Sequence, residues 1–284
     1  MIGQKGLLSR IDALIDNDKF PRFSIIVGSQ GSGKKTLSKF VAKKLGGTCV
    51  IVDTSINAIR DMIYRSYKVR SKLVYIIPDA DNMSVAAKNA LLKIAEEPPN
   101  DIYIIMTIEN TQNALETILS RATVFYMDMY SNAEIEQYVQ NNKQLVDVIH
   151  DLELIKDICE TPGEVNVVTN NGEDGYLQRF CEYVELVFNN IATVSLANAF
   201  KIPSKVSLKE GIEGYDLRMF WKLFIYKCIQ YTKQSINTDI EKALIVAEAI
   251  PITDKALESL MLVSGINKQQ LMDRWILDVR EVWE

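Results

Sequence analysis

At 284 residues the chain is too long for a single small core and suits two or three domains. Its composition, 48% hydrophobic and 24% charged, excludes a disordered or low-complexity protein, and no run approaches the ~20 apolar residues that a membrane span requires. A formal net charge of −5 argues against a stand-alone nucleic-acid binder, whose usual footprint is a basic face, while leaving room for a local DNA contact within a larger assembly.

The opening residues Met1-Ile2-Gly3-Gln4-Lys5 form no apolar signal core, so a cytoplasmic protein with no membrane partner is expected. Cys49, Cys159, Cys181 and Cys228 are far apart, and no two stand at metal-ligand or redox spacing. With His150 the single histidine, no zinc site is expected, and the thiols read as free in a reducing compartment.

In chain order, Phe23–Val27, Cys49–Val52, Leu73–Ile77, Ile102–Met106 and Thr123–Met127 read as five strands, most of them continuously apolar, as strands buried on both faces are. Helical spacing in Thr36–Leu45 and Ser84–Glu96 between them predicts a parallel sheet covered by helices. Gly28-Ser29-Gln30-Gly31-Ser32-Gly33-Lys34 follows the first strand and opens a helix, the strand–loop–helix context of a phosphate-binding loop. There glycines let backbone amides curl around phosphates, the helix N-terminus adds partial positive charge, and Lys34 reaches the terminal phosphates. A purely structural glycine turn is the competing reading. The next position normally carries a Ser or Thr hydroxyl that ligates Mg²⁺. Here it is Lys35, and Thr36, rotated by ~100° on the helix, is not expected to replace that ligand. ATP or ADP is expected to bind weakly, with Mg²⁺ left open and fast metal-assisted hydrolysis not expected.

The third strand runs into Pro78-Asp79-Ala80-Asp81, where a hydrolytic site needs two acids, one for the metal shell and one to polarise water. Asp81 reads as a cap for the helix opening near Ser84, and Glu96-Glu97 as that helix's exposed end before Pro98-Pro99. After Tyr130 the strand signals stop. Ser131 and Glu134 form a capping box for a helix through about Asn141; Leu145–Cys159 reads as a second helix, ended by Thr161-Pro162-Gly163. The Asn/Gly-rich tract Asn170–Gly175 reads as a loop. Beyond it Gly175–Ala192, Asp216–Lys233, Thr238–Ala249, Thr253–Val263 and Lys268–Trp283 are predicted helices. Their recurring aromatics, Phe220, Trp221, Phe224, Tyr231, Trp275 and Trp283, read as bundle core or subunit interface.

Several of these segments resemble the clamp-loader family of AAA+ proteins, and within it the delta-prime type. They are Ile77-Pro78-Asp79-Ala80-Asp81, then Asn89-Ala90-Leu91-Leu92-Lys93, then Glu96-Glu97-Pro98-Pro99. Gly3-Gln4, Phe20-Pro21-Arg22-Phe23, Ile56–Arg60 and Thr117-Ile118-Leu119-Ser120-Arg121-Ala122 are further matches, so the resemblance covers residues 2 to about 127. It implies a RecA-like α/β domain (1–130), a small helical lid (131–173) and an all-helical collar (174–284). It also puts Pro78 at the metal-binding acid and Asp79 at the catalytic one, a degenerate Walker B pair. Thr107 falls near the sensor-1 position, and Glu164 stands where active subunits place a phosphate-facing arginine. Arg121 is implied to be an arginine finger acting on a neighbour's ATP, the alternative being the cap of a surface helix end. The cysteine cluster that binds zinc in many bacterial relatives is missing. The function implied is a structural clamp-loader subunit acting in DNA replication, with other loader subunits, the sliding clamp and primer-template DNA as partners. An active clamp-loader ATPase and another AAA+ nucleic-acid motor remain the alternatives.

Overall fold

Short runs of Ile, Val and Leu with no polar side to present to water are stable only in a sheet covered on both faces. The computed structural model describes residues 2–111, 116–201, 217–262 and 266–283, and these form two compact units. The first comprises Met1–Gln137 with Thr161–Gly163; the second comprises Tyr138–Glu160 with Glu164–Glu284.

The first unit follows the order α1 (Lys5–Asp16), β1 (Phe23–Val27), α2 (Lys34–Lys44), β2 (Thr48–Ile51), α3 (Ile56–Ser66) and β3 (Leu73–Ile77). It continues with α4 (Val85–Glu96), β4 (Ile102–Ile108), α5 (Glu116–Leu119), β5 (Thr123–Tyr126) and α6 (Asn132–Gln140). Among the described residues the strands form one parallel sheet in the order β2-β3-β4-β1-β5. All five are the predicted strands, with ends moved by a residue or two.

Adjacent strand residues serve opposite faces. Ile25, Tyr75 and Ile104 pack with Ile59 of α3 and Leu91 of α4, whereas Ile26, Val74 and Ile105 pack with Ile11 of α1 and Leu37 and Val41 of α2. Helices α1 and α3 had no counterpart in the predicted elements. A cap marks α3, since Ser55 accepts from the Ala58 amide at 3.4 Å. The expected cap at α4 is corrected: Ser84, not Asp81, accepts from the first turn, from Ala87 N at 3.2 Å. The predicted capping box holds, with Ser131 N donating to Glu134 Oε2 at 2.9 Å.

The second unit contains α7 (Lys143–Val148), α8 (Leu152–Ile158), α9 (Pro162–Val168), α10 (Tyr176–Asn190), α11 (Leu196–Ala199), α12 (Leu217–Ser235), α13 (Ile240–Leu262) and α14 (Lys268–Trp283). The single helix expected over Leu145–Cys159 is two, because Asp151 caps a new start by accepting from Leu154 N at 2.9 Å. Pro162 opens α9, where its missing N–H costs nothing. Conversely, the two helices expected on either side of Pro251 are one. Ala243, Val246, Ala249, Thr253, Ala256 and Leu257 stay buried along it, and Thr253 donates to Ala249 O at 2.7 Å while accepting from Trp275 Nε1 at 2.9 Å. The predicted helix ends Asp216 and Val263 lie outside the described residues. Phe220, Trp221, Phe224 and Trp275 are core, with Phe224 and Trp275 edge to face at 4.9 Å between centroids.

Candidate functional site

β1 is buried at every residue and delivers the chain into the glycine loop at the sheet's carboxyl edge, where ligands of parallel α/β sheets bind. Gly31 and Gly33 have φ of 78° and 93°, which glycine adopts without strain, and Gly33 leads directly into α2. A Cβ on Gly28 would stand 2.9 Å from Ser32 Oγ and 3.0 Å from Met127 Cβ. Ser32 is buried and its hydroxyl lies 3.5 Å from Met127 Sδ. Lys34 is buried, and its ammonium donates to Gly28 O at 2.7 Å and Ser29 O at 2.9 Å. Burial lowers its pKa, and the charges of Glu109, Asp79 and Asp81, in that order, oppose the shift. A buried cation thus sits at the loop with acids around it. Lys35 and Thr36 are exposed on α2.

Those acids come from the ends of β3 and β4. Asp79 is exposed and left-handed (φ 50°), and its amide donates to Thr107 Oγ1 at 3.0 Å. Thr107, fully buried in β4 beside Ile26 of β1, thereby pins the turn after β3 to the next strand. Glu109 N donates to Asp81 Oδ2 at 2.8 Å, a second tie between the same segments. The two sequence-predicted residues, Asp79 and Thr107, are therefore brought together near Lys34. At the two positions that the resemblance assigns to the ligands of a magnesium ion stand Lys35, whose ammonium would repel the ion, and Pro78, whose side chain has no donor atom.

Residues that sequence reasoning left out of the site also hold the loop. Thr161 is buried and its hydroxyl donates to Gln30 O at 3.1 Å, while Gly163 N donates to Gly31 O at 3.0 Å. A Cβ on Gly163 would fall 2.3 Å from Gly31 Cα, so only glycine permits this approach. Tyr130 adds a hydroxyl to Ser32 O at 2.7 Å. Gln4 is buried and exchanges two hydrogen bonds with the backbone of Asp128, at 2.7 and 2.8 Å, fastening the N-terminal segment beyond β5. The Thr161-Pro162-Gly163 tract was visible in the sequence as a helix stop and, by resemblance, as the segment leading to the phosphate-facing position at Glu164, but not as a partner of the glycine loop.

Arg121 lies at the opposite edge. β5 runs parallel to β1 with Thr123 level with Ser24 and Tyr126 with Val27, so Arg121 precedes the strand's amino end while Lys34 follows β1's carboxyl end. Its Nε donates to Glu96 Oε1 at 2.8 Å and its Nη2 reaches the same oxygen, as Nη1 donates to Thr117 O at 2.7 Å and Ser120 Oγ at 3.4 Å. Glu96, read from the sequence as an exposed helix end, is thus the arginine's partner. Ser120 helps to orient the guanidinium.

In the second unit Glu164 is not the bare negative charge its position suggests. It is buried, paired with Arg218 at 2.9 Å and Lys222 at 3.2 Å, and accepts from Glu160 N at 2.7 Å.

Residues 46–130 match the family model described as DNA polymerase III, delta subunit. The chain is 23% identical to the DNA polymerase III subunit delta' of Haemophilus influenzae over 82% of its length and 73% of that protein. It is 26% identical to the subunit gamma of Buchnera aphidicola from Schizaphis graminum over 50% of its length and 47% of that protein. A 71-residue stretch is 37% identical to the delta' subunit of Bacillus subtilis, over 25% of this chain and 22% of that protein. The chain spans about half the length of the gamma subunits it matches. In structure it is similar to a single-residue variant of Thermotoga maritima RuvB, with a TM-score of 0.50 and 15% identity over 97% of this chain and 87% of that one.

Sheet order, glycine loop and buried Lys34 define the fold class, that of the AAA+ P-loop proteins, with an α-helical C-terminal region. The curated relatives just described are delta' and gamma subunits of DNA polymerase III, and it is to these that the chain is similar. Among the described residues no helix is long and apolar enough to cross a membrane.

Proposed function

We propose that this chain is a delta-prime-like stator subunit of a sliding-clamp loader, cytoplasmic and acting in DNA replication, which donates Arg121 to the ATP site of a neighbouring subunit. The observation that carries the reading is the separation of Arg121 from the chain's own Lys34, at opposite edges of one parallel sheet. A guanidinium so placed serves a phosphate held by another subunit, where fingers of this kind accelerate phosphoryl transfer by roughly 10³-fold or more. The chain's own site binds ATP or ADP weakly and does not turn it over, since Lys35 and Pro78 supply no metal ligand. The reading also divides the molecule into a nucleotide-binding domain (1–130), a lid (131–173) and a collar (174–284). Ile240 and Leu244, exposed at 60% and 58% and one turn apart on α13, support a collar that packs against other subunits. The sliding clamp and primer-template DNA are then partners of the assembly.

The test is reconstitution of the loader with Arg121→Ala. The assembled partners should lose clamp- and DNA-stimulated ATPase by about 10³-fold, the scale of a lost finger, while this chain's own nucleotide affinity stays unchanged. Equal rates in both assemblies would remove the finger. The second reading, an active ATPase, has the buried Lys34 in its favour. Turnover of ~1 s⁻¹ or more by the isolated chain, within the ordinary enzyme range, would establish it instead.

A further inference from the structure

We infer that Glu96 is a carboxylate latch on Arg121, holding the finger on its own subunit until a phosphate displaces it; this rests on the trans-finger reading above. A guanidinium binds a phosphate or carboxylate through one of its planar edges. Nη1 of Arg121 is already taken by Thr117 O at 2.7 Å and by Ser120 Oγ at 3.4 Å, so the edge made by Nε and Nη2 is the one left for an anion. Glu96 Oε1 accepts from both nitrogens of that edge, from Nε at 2.8 Å. The carboxylate therefore stands where a neighbour's terminal phosphate would have to bind.

The fold explains why the two meet. Glu96 ends α4 immediately before Glu97-Pro98-Pro99, and a residue preceding proline is biased away from helix, which fixes the helix end there. The segment then turns into β4, with Arg22 holding it through Asn100 Oδ1 at 3.0 Å. Arg121 sits at the end of the turn that follows α5 and leads into β5. Both residues are thus delivered to the amino edge of the same sheet, 25 positions apart in sequence. Both side chains are partly exposed, 31% for Arg121 and 52% for Glu96, so the pair is weak enough to exchange one anion for another. Engaging a phosphate means giving up Glu96, which makes Glu96 a positioning residue that sets how readily the finger leaves, rather than a catalytic one.

The experiment compares wild type, Glu96→Gln, Arg121→Ala and the double variant, each in the reconstituted loader and as the isolated chain. Without clamp or DNA, Glu96→Gln should raise the partners' ATPase by about two- to fivefold, the factor that corresponds to an exposed ion pair. It should also lower the partners' apparent KM for ATP, and the double variant should match Arg121→Ala. In the isolated chain the Arg121 Nε–H resonance should exchange slowly with solvent in the wild type and rapidly in Glu96→Gln, whereas Glu96→Asp should restore part of the protection. An unchanged or lowered unstimulated rate with Glu96→Gln, in an assembly that Arg121→Ala cripples, overturns the latch and leaves the finger. Indifference of the assembly to Arg121→Ala overturns the finger and the latch together. Unprotected Nε–H in the wild-type chain overturns the latch on its own.

Discussion

Gly163 shows how far a single missing methyl determines the phosphate loop. Its amide bonds to Gly31 O at 3.0 Å, and a Cβ there would overlap Gly31 Cα at 2.3 Å. Gly163→Ala must push the Thr161–Gly163 segment off the loop, breaking this bond and the one from Thr161. Two hydrogen bonds and the overpacking strain correspond to about 2–4 kcal/mol. The expected result is a Tm lowered by several degrees in a thermal scan, with faster hydrogen exchange at Gly31 and Ser32; a wild-type Tm and exchange pattern would contradict the contact. At β4, Thr107→Val keeps the shape and removes the acceptor of the Asp79 amide, leaving a donor unmatched. That change should cost about 1–3 kcal/mol, measured by urea denaturation, whereas Thr107→Ser should retain most of the stability.

At the scale of elements, α13 illustrates how packing overrides a local rule. Proline inside a helix removes one backbone hydrogen bond and clashes with the preceding turn, at about 3 kcal/mol. The helix nevertheless continues through Pro251, because its buried stripe and the Trp275–Thr253–Ala249 chain of hydrogen bonds hold both halves in line. Trp275→Phe removes the indole donor while keeping most of the ring, and is expected to destabilise the helical unit by about 1–2 kcal/mol in chemical denaturation. Loss confined to the first unit would count against this account. α8 and α9 depend on α12 in a different way, through Lys222 and Arg218 on Glu160 and Glu164. A chain ended at 174 would leave Glu164 without Arg218 and Lys222, and α8 without the helix it packs on. Dye binding to exposed apolar surface should therefore rise on that truncation, beyond what loss of the collar's own surface explains.

On the scale of the molecule, the two units should respond to alkaline pH with opposite signs. In the second unit burial pushes the Cys181 thiol up to about 11 and Cys228 to about 12, from an ordinary 9.0, and Cys159 is raised as well. A folded state that keeps these protons when the unfolded chain has lost them is stabilised fully below pH 9.0, and that contribution disappears as pH rises towards 11 or 12. Lys34 in the first unit is the reverse, since burial lowers its pKa below 10.5 and the folded state releases its proton first. Unit-resolved hydrogen exchange should show the helical unit losing stability above about pH 9 while the sheet unit does not. Replacing Cys181 and Cys228 by Ala should flatten that slope even if it lowers the baseline, and an unchanged slope would discredit the assignment. Of the four thiols, Cys49 is exposed on β2 and should be the one alkylated in the native protein near pH 8.

Much of the sheet unit was legible in one dimension. Strands buried on both faces write themselves as unbroken apolar runs, and a phosphate loop needs glycines at φ values only glycine adopts freely, so Gly31, Gly33 and Lys34 could be placed without coordinates. The family motifs likewise depend on contiguous residues. Elements whose outcome turned on distant partners were not legible. Nothing local tells whether Pro251 breaks its helix, because the answer lies in the free energy of packing against α12 and α14, which outweighs propensity. The same holds for function. Sequence alone proposed Arg121 and marked Glu96 as a surface end, since a pair 25 residues apart meets only once two parallel strands bring their amino ends to one edge of the sheet. Motif spacing is local and was determined by the sequence; which groups face one another is a property of the sheet, and only the tertiary structure decided it.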